Sequence, residues 1–266
     1  MISRIATTVA TLGAVIGIAC VDMSAPKGPA SISVLQLPSP SVVIGDVMRD
    51  STGAPAKLGV IAYDANGTPI ADIVPQFFIT DTAPVAHFDA SGTLVGDKAG
   101  TVRIIGQVSS LQTPPVSVPV TAAPTKIARA GTTTDTIRAP LAVDTLQRGK
   151  SAAAVLVTGA DAAGSQGFIV RYTLQYAPAK LDTSKAAAVF LADDSGKPST
   201  ADTTDGSGRA SRDVVVIGRL LADQALKSGQ RIDSAVVVAQ TSYKGALVSG
   251  SPVQLVFPIK VTIPTP

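Results

Sequence analysis

The chain has 266 residues, of which 22 are Lys or Arg and 19 are Asp or Glu, so its net charge at neutral pH is only +3. A charge this small, carried by scattered basic residues, excludes the basic surface that nucleic-acid binding requires. Cys20 is the only cysteine and His87 the only histidine, so neither an internal disulfide nor a usual zinc ligand set can form. Only 4% of the residues are aromatic and none is Trp, a composition typical of short strands separated by turns.

The first twenty residues predict export from the cytoplasm. Arg4 precedes an uncharged run over 5–19 that is shorter than an ordinary membrane span, as in a secretion signal. With Ala19 before Cys20, the segment resembles a bacterial lipoprotein signal, and this resemblance implies that Cys20 is acylated and becomes the mature N-terminus. An uncleaved anchor helix over 5–20 is the alternative. Both interpretations place the chain on the periplasmic or cell-surface side of a bacterial membrane.

A proline-containing tether over 21–30 precedes a first half that predicts an antiparallel β-sandwich. Apolar runs with strand character recur at short spacing, at 31–37, 57–63, 76–80, 85–89, 100–108 and 116–121. Turn-forming sequences separate several of these runs. Pro114, Pro115, Pro119 and Pro124 predict an edge strand that leads into a domain boundary near Ala123, because proline cannot donate to a central ladder.

The second half predicts a further sandwich with a similar pattern of short strands and turns. Its strand-like runs lie at 150–159, 167–177, 187–192, 209–217, 231–240 and 253–263. A polar loop or hairpin tip is predicted at 193–207 and one helical turn at 222–228. The predicted fold is all-β, with two tandem antiparallel β-sandwiches at 31–123 and 124–266 after the signal or anchor segment.

The two halves also share turn sequences. An Asp-x-x-Gly turn occurs at Asp64 and again at Asp161, and a later Gly-containing turn occurs at Asp89 and again at Asp205. This recurrence supports two related sandwiches in tandem.

Three segments of the first half carry a family resemblance. The sequences over 63–70, 85–96 and 99–104 resemble, in order and spacing, the bacterial immunoglobulin-like domain of group 2. The sequence over 203–210, followed by an alternating strand, resembles the invasin-type immunoglobulin-like domain. The resemblance implies immunoglobulin-like sandwiches used as a spacer, scaffold or binding surface without catalysis.

Few residues offer chemistry. His87 has no nucleophile motif around it, so no catalytic residue and no cofactor are predicted. A catalytic pair of Ser and Lys is not predicted, because the sequence contains no hydrolase motif that would include such a pair. Tyr172 and Tyr176, at i and i+4, are predicted to share one face of a strand, where they would form a modest aromatic platform, but packing in the core or at its rim explains them better.

Four carboxylates lie close together in the sequence of the second half: Asp193, Asp194, Asp202 and Asp205. Calcium binds oxygen ligands on flexible loops, so a calcium site there is possible, although the spacing differs from that of an EF-hand. Solvated turn aspartates are the commoner interpretation, and no metal site is predicted.

These observations predict a membrane-tethered, non-catalytic protein that acts through contacts with other envelope or membrane proteins. The first hypothesis is a structural or accessory subunit of an envelope complex. The second is a cell-surface adhesin or ligand-binding lipoprotein. A hydrolase with an unrecognised Ser and Lys site is a third, minor interpretation.

Overall fold

The computed structural model describes residues 28–131, 135–141, 148–178, 187–221 and 231–262. Within these ranges the chain consists of twenty strands and one 3-10 helix, Gly218–Leu220. No helix in the described ranges is long and apolar enough to span a membrane. Cys20, the predicted signal, most of the tether and the helical turn at 222–228 lie outside the described residues, so acylation of Cys20 stays a prediction.

Sandwich 1 contains nine strands: β1 (Ser31–Ile32), β2 (Val42–Val43), β3 (Ala62–Tyr63), β4 (Gln76–Ile79), β5 (Ala86–Phe88), β6 (Leu94–Gly96), β7 (Gly100–Val108), β8 (Leu111–Gln112) and β9 (Val116–Thr121). The larger sheet has the order β2-β9-β7-β4, with β8 paired to β7. The ladders β1-β3 and β5-β6 are separate from it.

Sandwich 2 contains the remaining strands: β10 (Lys126–Arg129), β11 (Ile137–Pro140), β12 (Gly149–Thr158), β13 (Ile169–Tyr176), β14 (Val189–Ala192), β15 (Ala201–Thr203), β16 (Arg209–Val216), β17 (Arg231–Gln240), β18 (Ser242–Tyr243), β19 (Ala246–Leu247) and β20 (Val253–Thr262). One sheet has the order β10-β12-β16-β14 and the other β11-β20-β17-β13-β15, while β18 and β19 form a hairpin.

The strand orders identify both units as immunoglobulin-like. In sandwich 2 the orders β10-β12-β16-β14 and β20-β17-β13 correspond to the ABED and GFC sheets of an immunoglobulin domain. In both sandwiches an early strand pairs in parallel with the last long strand, β2 with β9 and β11 with β20. The predicted all-β fold of tandem immunoglobulin-like sandwiches is therefore confirmed.

Each sandwich has its own hydrophobic core, built from alternate residues of facing strands. The core of sandwich 1 includes Val42, Met48, Leu94, Ile104 and Val118. The core of sandwich 2 includes Ile127, Val155, Tyr172, Val237 and Phe257. Four residues, 122–125, separate the end of β9 from the start of β10. The two cores are thus joined by a very short connection.

The long strands match their predicted bounds closely, whereas several details differ. The prolines do not mark an edge strand, since β9 lies between β2 and β7. Pro119 is tolerated there because β2 pairs only with Val120 and Thr121. The predicted loop over 193–207 contains the short strand β15.

Two predicted local patterns are wrong. Tyr172 and Tyr176 do not share a face, because a β-bulge between Leu174 and Tyr176 shifts the register against β17. Tyr172 is buried in the core and Tyr176 is exposed. The turn at Asp161 is not equivalent to that at Asp64, since its tight turn runs from Gly159 to Ala163 with Ala162 at φ +62°.

Candidate functional site at the interdomain junction

Four segments of the two sandwiches meet around a small cleft. Segments 38–43 and 49–53 belong to sandwich 1, and segments 167–171 and 242–245 belong to sandwich 2. The cleft has a volume of about 80 Å³, well below the roughly 300 Å³ at which small-molecule pockets begin. We take this junction as the candidate functional site because it combines a cavity with a buried charge.

Asp46 is the centre of the polar contacts at the junction. Its side chain is 10% exposed, and the Arg49 guanidinium donates from Nε and Nη2 to its two carboxylate oxygens, each at 2.8 Å. The Tyr243 hydroxyl of sandwich 2 donates to Oδ2 of the same carboxylate. Lys244 Nζ lies 3.4 Å from that oxygen. One carboxylate therefore binds an arginine of its own sandwich and two side chains of the other.

The titration of this cluster follows from burial and hydrogen bonding. Burial raises the pKa of the Asp46 carboxyl, but hydrogen bonds from Arg49 and Tyr243 outweigh it and hold the pKa well below its ordinary value of 3.8. Burial and the Asp46 hydrogen bond both raise the pKa of the Tyr243 hydroxyl above its ordinary value of 10.0. At neutral pH the carboxylate is charged and the phenol protonated, as their hydrogen bond requires.

The β18-β19 hairpin positions Tyr243. Lys244 and Gly245 form its turn with φ of +51° and +76°, the left-handed conformations that a two-residue hairpin turn needs. The Tyr243 ring packs edge-on against Phe168 with 6.1 Å between centroids, and Lys244 Nζ lies 5.4 Å from the ring centroid. The ring is thus fixed on sandwich 2 while its hydroxyl reaches sandwich 1.

Gly53 lets the two backbones touch. It lies at φ +89°, and a Cβ atom there would stand 2.2 Å from the Gly245 nitrogen. Its carbonyl accepts a hydrogen bond from Arg49 Nη1 at 2.8 Å. Any side chain at this position would have to push the β18-β19 hairpin away, so the close approach requires glycine.

A second contact lies on the other side of the cleft. The buried Ser41 hydroxyl donates to the Gly167 carbonyl at 3.0 Å. A Cβ atom on Gly167, which has φ +81°, would lie 2.4 Å from the Ser41 Cβ. The Gln166 backbone N–H donates to Thr121 Oγ1 at 3.3 Å. The sandwiches therefore contact each other through two glycines in addition to the Asp46 cluster.

The loop that holds Gly53 is one of five with the same sequence pattern, Asp-x-(Ser, Thr or Asn)-Gly. In each, the aspartate Oδ1 accepts the N–H groups two and four residues ahead, and the glycine has φ near +80°. The loops begin at Asp50, Asp64, Asp89, Asp193 and Asp205. The carboxylate satisfies the backbone donors of its own turn.

The carboxylates considered for calcium are spread over different local structures. Asp193 and Asp205 begin two of the five loops. Asp202 accepts the Ser211 N–H and pairs with Arg212 at 3.0 Å. The described part of the chain contains no group of three or more His, Cys, Asp or Glu side chains able to hold a metal. Calcium binding at these residues and at Asp194 stays untested.

His87 lies on the exposed face of β5, away from the cleft. Its Nδ1 is 2.9 Å from both oxygens of Asp97, and both side chains are about half exposed, at 55% and 46%. The alternation predicted for this strand is present, with Ala86 buried. The pair lies in solvent and lines no cavity described here.

The sequence alone did not single out the residues of the junction. Asp46, Arg49 and Tyr243 belong to no motif, and the hydrogen bond between Asp46 and Tyr243 spans 197 residues. Two signals were available: Asp50 begins the same loop pattern as Asp64, and Lys244-Gly245 has the composition of a tight hairpin turn. Both locate turns, but neither indicates that the turns meet.

Comparisons with known proteins give only distant structural likeness. No protein-family model matches the chain, and no curated protein matches it. Domains 4 and 5 of the S-layer protein SbsC are similar over 88% of this chain and 100% of theirs, at 16% identity and a TM-score of 0.31. The Yersinia pseudotuberculosis adhesin InvE is similar over 87% of this chain and 61% of its own, at 17% identity and a TM-score of 0.31. The Escherichia coli adhesin FdeC is similar over 85% and 62%, at 16% identity and a TM-score of 0.27. Because the sequence identities and TM-scores are this low, the function has to be argued from the residues of this chain.

Proposed function

We propose that this chain is a non-catalytic structural protein of the bacterial envelope, tethered outside the cytoplasm by its N-terminal segment. Its two sandwiches act as one rigid scaffold for contacts with other envelope proteins. The observation that carries the proposal is the Asp46 carboxylate, buried between the sandwiches and bound by Arg49 and Tyr243.

Rigidity follows from the way the sandwiches are joined. Domains in one chain ordinarily move relative to each other unless their interface is extensive. Here the connection has four residues, and rotation about it would separate Gly53 from the hairpin and break the hydrogen bond of Tyr243. A hydrogen bond to a charged group contributes about 1.5–3 kcal/mol, more than a surface ion pair. A fixed angle between two sandwiches suits a spacer or scaffold.

The sheet edges supply surfaces for a partner. In the described sheets β4 pairs on one side only, with β7, so its outer edge can accept another strand. The structural role is favoured over catalysis because His87, a potential catalytic base, pairs with Asp97 in solvent and not in a cleft. We therefore favour an accessory subunit of an envelope complex over an adhesin.

Gentle detergent extraction from native membranes, size separation and intact mass spectrometry test this role. The expected result is co-migration with a defined complex and an N-terminal mass that includes acylated Cys20. Cys20→Ser is expected to lose the lipid and most of the membrane association. Migration as a lone lipoprotein would contradict the subunit role and favour the adhesin.

The same extraction tests whether rigidity matters to assembly. Gly53→Ala, which cannot keep the close approach at the junction, is expected to reduce co-migration. Gly67→Ala changes the corresponding glycine of an equivalent loop, where an added Cβ would have no neighbouring atom within 4 Å. This variant should leave co-migration intact. Equal behaviour of the two variants would remove the rigid-scaffold part of the proposal.

A further inference from the structure

We propose that the cleft between the sandwiches binds one oxyanion group, a carboxylate or a phosphate, carried by a larger molecule. This inference concerns a binding site and stands apart from the subunit role. It rests on the charges that line the cleft, on the hydrogen-bond donors that remain available there, and on its size.

The charge balance of the cleft is positive. Arg49, Arg171 and Lys244 line it, against the single carboxylate of Asp50. Asp46, which contacts Arg49 and Lys244, brings the balance to three cations against two carboxylates, a net charge of +1. A low-volume cleft with uncompensated positive charge attracts an anion.

Both carboxylates are already occupied by donors. Asp50 Oδ1 accepts the N–H groups of Thr52 and Ala54 and the Thr52 hydroxyl, at 2.6–3.1 Å. Asp46 is bound by Arg49 and Tyr243. Each carboxylate is thus held by its own neighbours, and with both of them counted the cleft keeps its net charge of +1.

Donors remain for a ligand. Arg171 lies on β13 with an exposed side chain and has no hydrogen-bond or ion-pair partner among the described residues. Arg49 uses three of the five N–H donors of a guanidinium on Asp46 and Gly53, and a further hydrogen bond with Tyr243 leaves one. The hydroxyl groups of Ser51 and Ser242 also line the cleft. Guanidinium groups match the planar or tetrahedral oxygens of carboxylate and phosphate.

The size of the cleft limits the ligand. Its volume of about 80 Å³ lies well below the roughly 300 Å³ at which pockets for whole small molecules begin. The cleft is therefore suited to a single carboxylate or phosphate group and not to a whole drug-sized molecule. The rest of the ligand has to lie outside, across the two sandwiches.

Amide NMR of the full-length, isotope-labelled chain in detergent micelles tests this site, with sodium phosphate and sodium acetate each titrated at constant ionic strength. We expect saturable shifts of the Gly53, Ser242 and Gly245 amides with at least one anion. Arg171→Gln should raise the dissociation constant about tenfold, as expected for the loss of a charged hydrogen bond. The matched control is Arg138→Gln, which changes an exposed residue of the edge strand β11, separated from β13 by β20 and β17 in the same sheet, and it should leave the dissociation constant unchanged.

The outcomes separate the ligand classes. Saturation by phosphate alone supports a phosphate-bearing ligand, and saturation by acetate alone supports a carboxylate-bearing one. Absence of saturable shifts with both anions overturns the site. Equal weakening by Arg171→Gln and Arg138→Gln also overturns it, because the binding would then reflect only the overall charge of the sheet.

Discussion

Tyr243 donates a hydrogen bond from its hydroxyl to Asp46 of sandwich 1, while its ring packs on Phe168 of its own sandwich. Tyr243→Phe keeps the ring and removes only the hydrogen bond to the Asp46 carboxylate. Because that acceptor is charged and buried, we expect the free energy of unfolding to fall by about 1.5–3 kcal/mol. Calorimetry would record this as a lower melting temperature.

Tyr176 provides the control for this substitution. Its hydroxyl also donates to a carboxylate, that of Asp233 at 2.6 Å, but the residue is 48% exposed. Water can replace the lost partner there, so Tyr176→Phe should leave the melting temperature nearly unchanged. Equal losses from the two substitutions would contradict a special role for the junction.

At the scale of the elements, the five equivalent loops allow the interdomain contact to be separated from backbone strain. Gly53 and Gly67 both have positive φ, at +89° and +78°, but only Gly53 has neighbouring atoms that a Cβ would meet. Gly67→Ala should therefore cost about 1–2 kcal/mol through its backbone conformation alone. Gly53→Ala should cost more, because the β18-β19 hairpin must also move away. Melting temperatures of the two variants, measured in parallel, would show the difference, and identical values would indicate that the contact contributes nothing.

The elements also show what could be predicted from the sequence. β7, β9 and β17 have the predicted bounds because their apolar residues form long uninterrupted strand patterns. The sequence did not predict β2, because a strand of two residues is too short to show an alternation of apolar and polar residues. This strand forms by pairing with β9. The aspartate loops were recognisable because their geometry is local, whereas the Asp46 cluster depends on contacts between distant segments.

At the scale of the whole molecule, the junction should respond to acid. The folded-state pKa of Asp46 is lowered, so its contribution to stability is present above the unfolded value of 3.8 and is lost as the pH falls towards the folded pKa. Asp46→Asn should therefore be less stable than the wild type at neutral pH, and the difference should shrink as the pH falls below 3.8, where the unfolded chain binds a proton that the folded carboxylate does not. The pKa values of Asp50, Asp81, Asp89, Asp193 and Asp205 are also lowered by hydrogen bonds to side chains or backbone, so both proteins lose stability in acid. Only the difference between their melting temperatures reports on Asp46, and a difference independent of pH would contradict its assigned role.

The proposed rigidity of the molecule can be tested directly, because residual dipolar couplings report the orientation of each N–H bond in one common frame. Amides of β7 and β9 represent sandwich 1, and amides of β12 and β17 represent sandwich 2. If the Asp46 cluster and the Gly53 contact hold one angle, both sets fit a single alignment tensor in the full-length chain. The combined substitutions Asp46→Ala and Gly53→Ala remove the carboxylate and the close approach but leave both cores untouched, so two tensors of different magnitude are expected. Two tensors already in the wild type would mean that the four connecting residues act as a hinge, and that the junction is one of several orientations that the sandwiches sample.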